Sequence, residues 1–187
     1  MTQLSLNIGI DSEFEIIASS AFNFRIELIK KVGEKDLEEL IEISKELKQK
    51  HGEELLITKD NIYKYFNNNT LPFIARYNNK IIGYIIGTPL ESFNNESWAH
   101  YDSNLGKNNT LYTYAFVLKS QFRKKGGYAK SLKLIYLNWA KKNNYQFVSG
   151  HVRRGISKRF SKNTSIIKNF SNWNGLNTAF EYYRRPL

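Results

Sequence analysis

The stretch from residue 110 to residue 152 predicts a strand, a helix and a second strand, and this unit most constrains how the 187-residue chain folds. Residues 110–118, TLYTYAFVL, are mostly β-branched and aromatic, as strand residues commonly are. Residues 127–143 carry apolar side chains at helical spacing, and residues 145–152 predict the second strand. Two strands joined through a helix lie parallel, with a right-handed crossover.

The segments on either side of this unit predict antiparallel strands and further helices. Two β-rich runs flank Asn78 and Asn79, which tolerate the positive φ of a tight hairpin turn. The other predicted elements are a strand at 22–30, a helix at about 34–50, a short helix after Thr58, a helix at about 160–171 and a strand at about 177–185. The expected fold class is α/β (α+β), with a mixed, mostly antiparallel central sheet, one parallel strand pair and helices on both faces.

We expect one domain over residues 22–187, preceded by an N-terminal extension over residues 1–21 in which Phe14 and Ile16 suit a short extra strand. The first 20 residues have no basic start, and no apolar run approaches the roughly 18 residues of a membrane helix. These features favour a cytoplasmic protein without a membrane partner. They leave the oligomeric state open, a homodimer included.

Charge is spread very unevenly along the chain. Residues 1–95 hold 11 Lys and Arg against 14 Asp and Glu, whereas residues 96–187 hold 17 against 3. Coding bias explains many lysines, but it does not explain why acidic residues vanish between Asp102 and Glu181. A basic half favours an anionic partner such as a nucleotide cofactor, nucleic acid or a membrane surface.

Residue types that the chain lacks exclude several chemistries. There is no cysteine, which rules out disulfides, thiolate nucleophiles and cysteine-ligated zinc. The three histidines, His51, His100 and His151, are widely spaced and match no metal-ligand pattern. We therefore expect no metal.

The stretch AFVLKSQFRKKGGYAKSL at 115–132 has the pattern of a phosphate site. A predicted strand runs into four cations, then two glycines, then a helix. Free amides at a helix start attract anions, and glycines let the backbone approach them closely. The alternative is an exposed basic turn that glycine caps. Neither of the common phosphate-loop patterns, Gly-x-x-x-x-Gly-Lys-Ser/Thr and Gly-x-Gly-x-x-Gly, is present.

This stretch resembles the signature of the GNAT superfamily of acetyltransferases, Arg/Gln-x-x-Gly-x-Gly/Ala between a strand and a helix. Lys124 to Ala129 match it with Lys in the first place; alternatively, Arg123 is the first residue and one glycine is inserted. A second resemblance lies downstream, where Asn163 is followed seven residues later by Phe170 and then by Asn172-Trp173-Asn174-Gly175. The resemblance covers roughly residues 25–187 in element order.

The resemblance implies an acyl-CoA-dependent N-acyltransferase that moves an acetyl group from acetyl-CoA to a primary amine by direct attack. Phe116, Val117 and Leu118 would present backbone groups to the pantetheine arm where their strand splays from the strand at 145–152. Asn163 would lie beside that arm. The residues implied for the diphosphate are Arg123, Lys124, Lys125, Gly126, Gly127, Tyr128 and Ala129.

One departure from the family concerns the tyrosine that often protonates the leaving thiolate, because Phe170 aligns with it and cannot donate a proton. This leaves three alternatives. The thiolate leaves without a proton donor, another group or a water molecule serves as the proton donor, or the protein binds acyl-CoA without turnover. For the base that deprotonates the amine, the first candidate is Glu91, with Glu96, His100 and Asp102 in reserve. Tyr112 and Tyr114 are candidates for lining the acceptor cleft.

Two other functions compete with the enzyme. The first is a non-catalytic acyl-CoA sensor, which Phe170 motivates. The second is a nucleic-acid-binding module on the basic half, although no recognised nucleic-acid motif supports it. The residues do not identify the amine acceptor, which the segments at 30–70 and 90–109 are expected to select.

Overall fold

A computed structural model describes residues 9–20, 23–51, 56–173 and 177–187. These residues form one eight-stranded sheet with the strand order β1-β2-β3-β4-β5-β6-β8-β7. In chain order the strands are β1 Glu13–Ser19, β2 Phe24–Lys31, β3 Pro72–Tyr77, β4 Lys80–Pro89, β5 Thr110–Leu118, β6 Phe147–Arg153, β7 Ser165–Phe170 and β8 Phe180–Pro186. The helices are α1 Glu34–His51, α2 Ile62–Tyr65 and α3 Tyr128–Lys142.

All neighbouring strands pair antiparallel except β5 and β6, which are parallel. One apolar cluster joins α1 and α2 to one face of the sheet, through Leu40, Ile43 and Ile62. A second cluster joins α3 to the opposite face, through Leu132 and Tyr136. The predicted mixed sheet with helices on both faces is confirmed.

The predicted turn of the β3–β4 hairpin is also confirmed. Asn78 and Asn79 have φ values of 48° and 62°, the left-handed conformation that two-residue hairpin turns require. The extra strand expected around Phe14 and Ile16 is present as β1, whose side chains at these positions remain exposed.

The helix predicted at about 160–171 is wrong. Residues 165–170 form β7 instead, which pairs with β8 at the edge of the sheet. The run Ser-Ile-Ile-Lys-Asn-Phe contains two β-branched isoleucines, and the open edge of β8 offers backbone partners that helical spacing does not reveal. Only a short 3₁₀ turn, Ser157–Arg159, precedes it, and Oε1 of Glu181 accepts a hydrogen bond from the Ser157 amide.

A buried ion network ties α1 to the sheet. The Arg76 guanidinium lies 3.1 Å from Oε2 of Glu27 and 2.9 Å from Oδ2 of Asp36. The side chain of Glu27 is 0% exposed and that of Arg76 is 8% exposed. Because both partners have lost their water, the network depends on keeping every member paired.

Candidate active site

A cleft opens where β5 and β6 separate. Their pairing spans only Thr110–Tyr112 with Phe147–Ser149, after which the two strands diverge, as the splayed pair was predicted to do. Gly150 lies at the divergence, where a Cβ would meet the Thr113 carbonyl oxygen at 3.2 Å. The cleft has a volume of about 180 Å³. Its walls come from β5, β6, β8 and α3, with Leu47 of α1 on the other face of the sheet.

A β-bulge in β5 shapes one wall of this cleft. Ile86 of β4 pairs with Ala115 and Gly87 pairs with Thr113, so that Tyr114 is the extra residue. Bulges bend a strand and increase its twist, which here accompanies the divergence from β6. Beyond Tyr112, every other backbone group of β5 faces the gap, because an antiparallel neighbour uses only alternate residues.

The turn between β5 and α3 presents a row of amides without acceptors. Lys124, Gly126 and Gly127 have φ values of 59°, 57° and 67°, so the chain coils in left-handed conformations before the helix begins. Within the described ranges, the amide groups of residues 124–130 have no hydrogen-bond acceptor. Such a row at a helix N-terminus is a binding site for an anion.

Aromatic packing holds this turn against the sheet. The Tyr128 ring lies 5.4 Å from the Tyr77 ring and 5.1 Å from the Phe24 ring, measured between centroids. Phe122 packs on the same Tyr77 ring at 6.2 Å. Tyr128, which the resemblance implies for the diphosphate, therefore also anchors the first turn of α3.

The other residues predicted to bind the cofactor divide into three groups. Phe116 is exposed and lines the cleft, whereas Val117 and Leu118 are buried in the apolar clusters. Lys124 and Lys125 are exposed at the turn, and the Ala129 amide is one of the free amides. The Arg123 guanidinium points away to other partners, with Nε donating to the Leu118 carbonyl at 2.9 Å and an ion pair to Glu46.

Asn163 and Glu91 lie outside the cleft. Asn163 is exposed in the turn before β7, where its amide donates to Oγ of Ser161. Oε1 of Glu91 accepts the amides of Gly106 and Asn108 beside the paired end of β5, away from the splay. The base role of Glu91 stays a prediction that none of these contacts supports. Of the second motif, Asn174 and Gly175 lie outside the described residues.

A histidine that the sequence did not single out for catalysis lines the cleft. His151 of β6 is sandwiched between Trp173, at 3.7 Å between ring centroids, and Tyr182, at 4.8 Å. Its Nδ1 lies 2.8 Å from the Tyr112 hydroxyl. Its Nε2 is buried without a hydrogen-bond partner among the residues described. Phe170 completes the surroundings, 5.5 Å from the imidazole ring.

Burial lowers the pKa of His151 from 6.5 to about 3, so the ring is neutral in the folded protein near pH 7. Burial also raises the pKa of Tyr112 well above 10, so its hydroxyl keeps its proton. When Nδ1–H donates to the Tyr112 oxygen, Nε2 presents a lone pair that can accept a proton. The spacing of strand β6 gave no sign of this, because His151 becomes visible only when β5 and β8 lie beside it.

We expect this buried histidine to make stability depend on pH. Between pH 6.5 and 3 the unfolded chain protonates His151 and the folded chain does not, so stability is lost as the pH falls. The slope is at most about 1.4 kcal/mol per pH unit. Urea unfolding at pH 7, 6 and 5 should show a shallower decline for His151→Phe than for the wild type. Equal declines would contradict the assignment.

The model of the GNAT acetyltransferase family matches residues 35–157, about two thirds of the chain. The chain belongs to the GNAT family. Its matched region begins in α1 and includes the splayed strands and the β5–α3 turn. No curated protein sequence matches the chain.

Solved structures of GNAT acetyltransferases share the fold at low sequence identity. An N-acetyltransferase from Staphylococcus aureus aligns with a TM-score of 0.62 at 16% identity, covering 88% of this chain and 98% of that one. Ribosomal-protein-alanine N-acetyltransferase from Brucella melitensis aligns with a TM-score of 0.61 at 15% identity, covering 86% of this chain and 99% of that one. Arabidopsis thaliana NAA60, solved with a bisubstrate analogue, aligns with a TM-score of 0.60 at 16% identity, covering 88% of this chain and 99% of that one.

Proposed function

We propose that this GNAT protein transfers an acyl group, acetyl in the usual case for the family, from acyl-CoA to a primary amine. The observation that carries the proposal is the combination of free amides at residues 124–130 with a cleft between β5 and β6 that Phe116 and Lys133 line on either side of that turn in the chain. The amides suit a diphosphate, and the gap between the strands suits an extended, uncharged arm with amide groups.

The residues present fit coenzyme A. Gly126 and Gly127 adopt conformations that allow the backbone amides to surround a diphosphate, and Lys124 and Lys125 add positive charge beside them. Backbone groups of β5 beyond Tyr112 lack partners on β6 and are suited to hydrogen-bond the pantetheine amides. When bound, the thioester supplies an activated acyl carbon.

His151 and Tyr112 supply the proton chemistry in this proposal. An amine attacks only after losing a proton, and its ordinary pKa is near 10. In this proposal the amine attacks in its neutral form, because an imidazole with a pKa of about 3 cannot deprotonate an ammonium ion. Nε2 of His151 accepts the proton that the nitrogen loses as its bond to the acyl carbon forms, while the Tyr112 hydroxyl holds the ring through Nδ1. The leaving thiol has a reference pKa of about 8.5, so it departs as a thiolate without the acid that Phe170 cannot provide.

The acceptor enters in this proposal from the α1 face of the sheet. Leu47 and Tyr114 line the cleft there, and Tyr114 stacks on Tyr65 of α2 with 5.3 Å between ring centroids. The buried Asp102 ties the 90–109 segment to the sheet beside this opening, through the Tyr182 hydroxyl at 2.7 Å and an ion pair to Arg184. An aromatic surface of this kind suits an amine that carries an apolar or aromatic neighbour.

Calorimetry with acetyl-CoA at low salt tests the proposal directly. Gly127→Val should weaken binding about 10-fold or more, because a β-branched residue resists the φ of 67° that opens the row of amides. Gly106→Val is the matched control, since Gly106 has a φ of 87° and equally open space but lies outside the turn. Wild-type protein that binds no acetyl-CoA would sink the proposal.

Thiol release with a panel of amines separates the enzyme from its alternatives. Steady release rules out a non-catalytic sensor, whereas binding without release favours one. A nucleic-acid module would instead bind RNA or DNA with an affinity that falls steeply as salt increases. A mobility-shift titration at two salt concentrations measures that dependence.

A further inference from the structure

Two cations meet inside the cleft. Lys133 of α3 and Arg185 of β8 both line it, on the face of the sheet that α3 covers. They lie over the same aromatic ring, because Nζ of Lys133 is 4.1 Å and Cζ of Arg185 is 5.9 Å from the Phe160 centroid. Two positive groups are thus held close together in a partly buried place.

Neither cation has an anionic partner in the part of the chain that the structure describes. Neither forms an ion pair or a hydrogen bond there, and Nε of Arg185 is buried without an acceptor. Among the residues that the structure describes, no aspartate or glutamate lines the cleft. Burial, with Arg185 as the second cause, lowers the pKa of Lys133 to about 8. The pair is therefore unfavourable by itself, and an anion in the cleft would relieve it.

The location of the pair identifies which part of a ligand it meets. Arg185 is opposite Val148, and Val148 belongs to the short stretch where β5 and β6 are still paired, so Arg185 lies at the closed end of the cleft. Along α3, Lys133 lies about 4.5 Å beyond residue 130, the last of the free amides, and about 9 Å beyond Gly127. A diphosphate at those amides leaves the uncharged arm and the acyl group to fill the closed end.

Hydroxyl groups complete a polar lining at this end. The Tyr136 hydroxyl lies 3.2 Å from Oγ1 of Thr113, and Tyr183, whose ring packs 5.0 Å from Phe160, lines the same wall. Burial raises the pKa of Tyr183 to about 12, so this hydroxyl stays a hydrogen-bond donor. Two cations with neutral donors around them match a carboxylate.

We propose that Lys133 and Arg185 bind a carboxylate at the far end of the acyl group, so that the preferred donor is the CoA thioester of a dicarboxylic acid, with succinyl-CoA as the test compound. The inference rests on the proposed function and deepens it. In the transfer, the amine nitrogen bonds to the acyl carbon and the carbon–sulfur bond breaks. The amine proton goes to the base, the sulfur leaves as the thiolate, and the distal carboxylate is unchanged.

Binding of stable thioethers tests this without turnover. S-(3-carboxypropyl)-CoA and S-butyl-CoA have chains of the same number of carbon atoms, and only the first carries a carboxylate. By calorimetry we expect the first to bind 10- to 100-fold more tightly, as charge-assisted hydrogen bonds from two cations would give. Equal affinity overturns the carboxylate proposal. If both bind well, the proposed acyltransferase function survives.

Substitutions identify the residues responsible. Lys133→Met and Arg185→Met should each reduce the preference for the carboxylated thioether at least 5-fold, and Lys133→Met should raise the melting temperature of the free protein. Lys141→Met, at an exposed lysine in the last turn of the same helix, is the control and should keep the full preference. Lys133→Arg keeps the positive charge and should therefore retain most of the preference for the carboxylated thioether.

The nucleotide phosphates are the other possible source of the anion, and one measurement separates the two. If Lys133→Met weakens the binding of free CoA as much as the binding of the carboxylated thioether, the pair binds a phosphate and the proposal is wrong. If the affinity for free CoA changes less than 2-fold while the preference for the carboxylated thioether over S-butyl-CoA is lost, the carboxylate is the partner. The ratio of kcat/KM for succinyl-CoA to that for acetyl-CoA should fall in the variants in step with the binding preference for the carboxylated thioether.

Discussion

Replacing His151 with phenylalanine should lower kcat for acyl transfer 100-fold or more and leave the Kd for CoA within about 3-fold of the wild type. The phenyl ring keeps the stack between Trp173 and Tyr182 but removes Nε2, the buried ring nitrogen that has no hydrogen-bond partner in the described part of the chain. Loss of a positioned base costs about 10²- to 10⁴-fold. Thiol release at saturating amine measures kcat, and calorimetry measures the Kd.

His100→Phe is the informative comparison, because it removes the same chemical group from an exposed position where Nε2 contacts the Asn94 carbonyl. We expect wild-type kcat from it. Tyr112→Phe should have an intermediate effect, since the hydroxyl holds His151 but does not contact the acceptor nitrogen in the proposal. If His151→Phe retains more than a third of kcat, another group is the base.

Arg76→Met should destabilise the folded protein by about 3–5 kcal/mol and lower Tm by roughly 10 °C. Methionine leaves the buried Glu27 with Arg25 as its one remaining ion-pair partner among the described residues, and Asp36 loses its bidentate partner. Burial alone would lower the pKa of Arg76, but the two carboxylates outweigh it and raise the pKa. Urea unfolding measures the free energy and a thermal scan measures Tm.

The matched control is Arg159→Met, at an exposed arginine of the 3₁₀ turn, which should change stability by less than about 0.5 kcal/mol. Adding Glu27→Gln to Arg76→Met removes the buried carboxylate that has lost one of its two arginines, and should recover part of the loss, because the partly exposed Arg25 keeps contact with water. Additive losses in that double variant would contradict the network explanation.

The strands and helices with strong local patterns were predictable from the sequence. β5 occupies the residues predicted for it, and the Asn78-Asn79 turn has the left-handed conformations that the hairpin requires. The β5–α3 turn was recognisable because glycines and cations follow one another without a break. In these cases the information lies within about ten consecutive residues.

What the sequence could not predict depends on residues far apart in the chain. β7 was assigned to a helix because its pairing with β8 is invisible locally. His151 lies 39 residues from Tyr112 and 22 from Trp173, and only the folded sheet brings the three together. Glu91 was chosen for its place at a strand end, but the backbone of residues 106–108 folds over it.

Glu46 links α1, on the proposed acceptor side of the cleft, to the loop between β5 and α3. This residue of α1 accepts the Ser120 amide at 3.1 Å and pairs with Arg123, and α1 also provides Leu47 to the acceptor side. We expect a shift of α1 on amine docking to reach the β5–α3 loop, where the nucleotide binds in the proposed function. If α1 couples the two binding sites, thermodynamic reciprocity requires each substrate to change the affinity for the other by the same factor, which calorimetry of each in the presence of the other would measure.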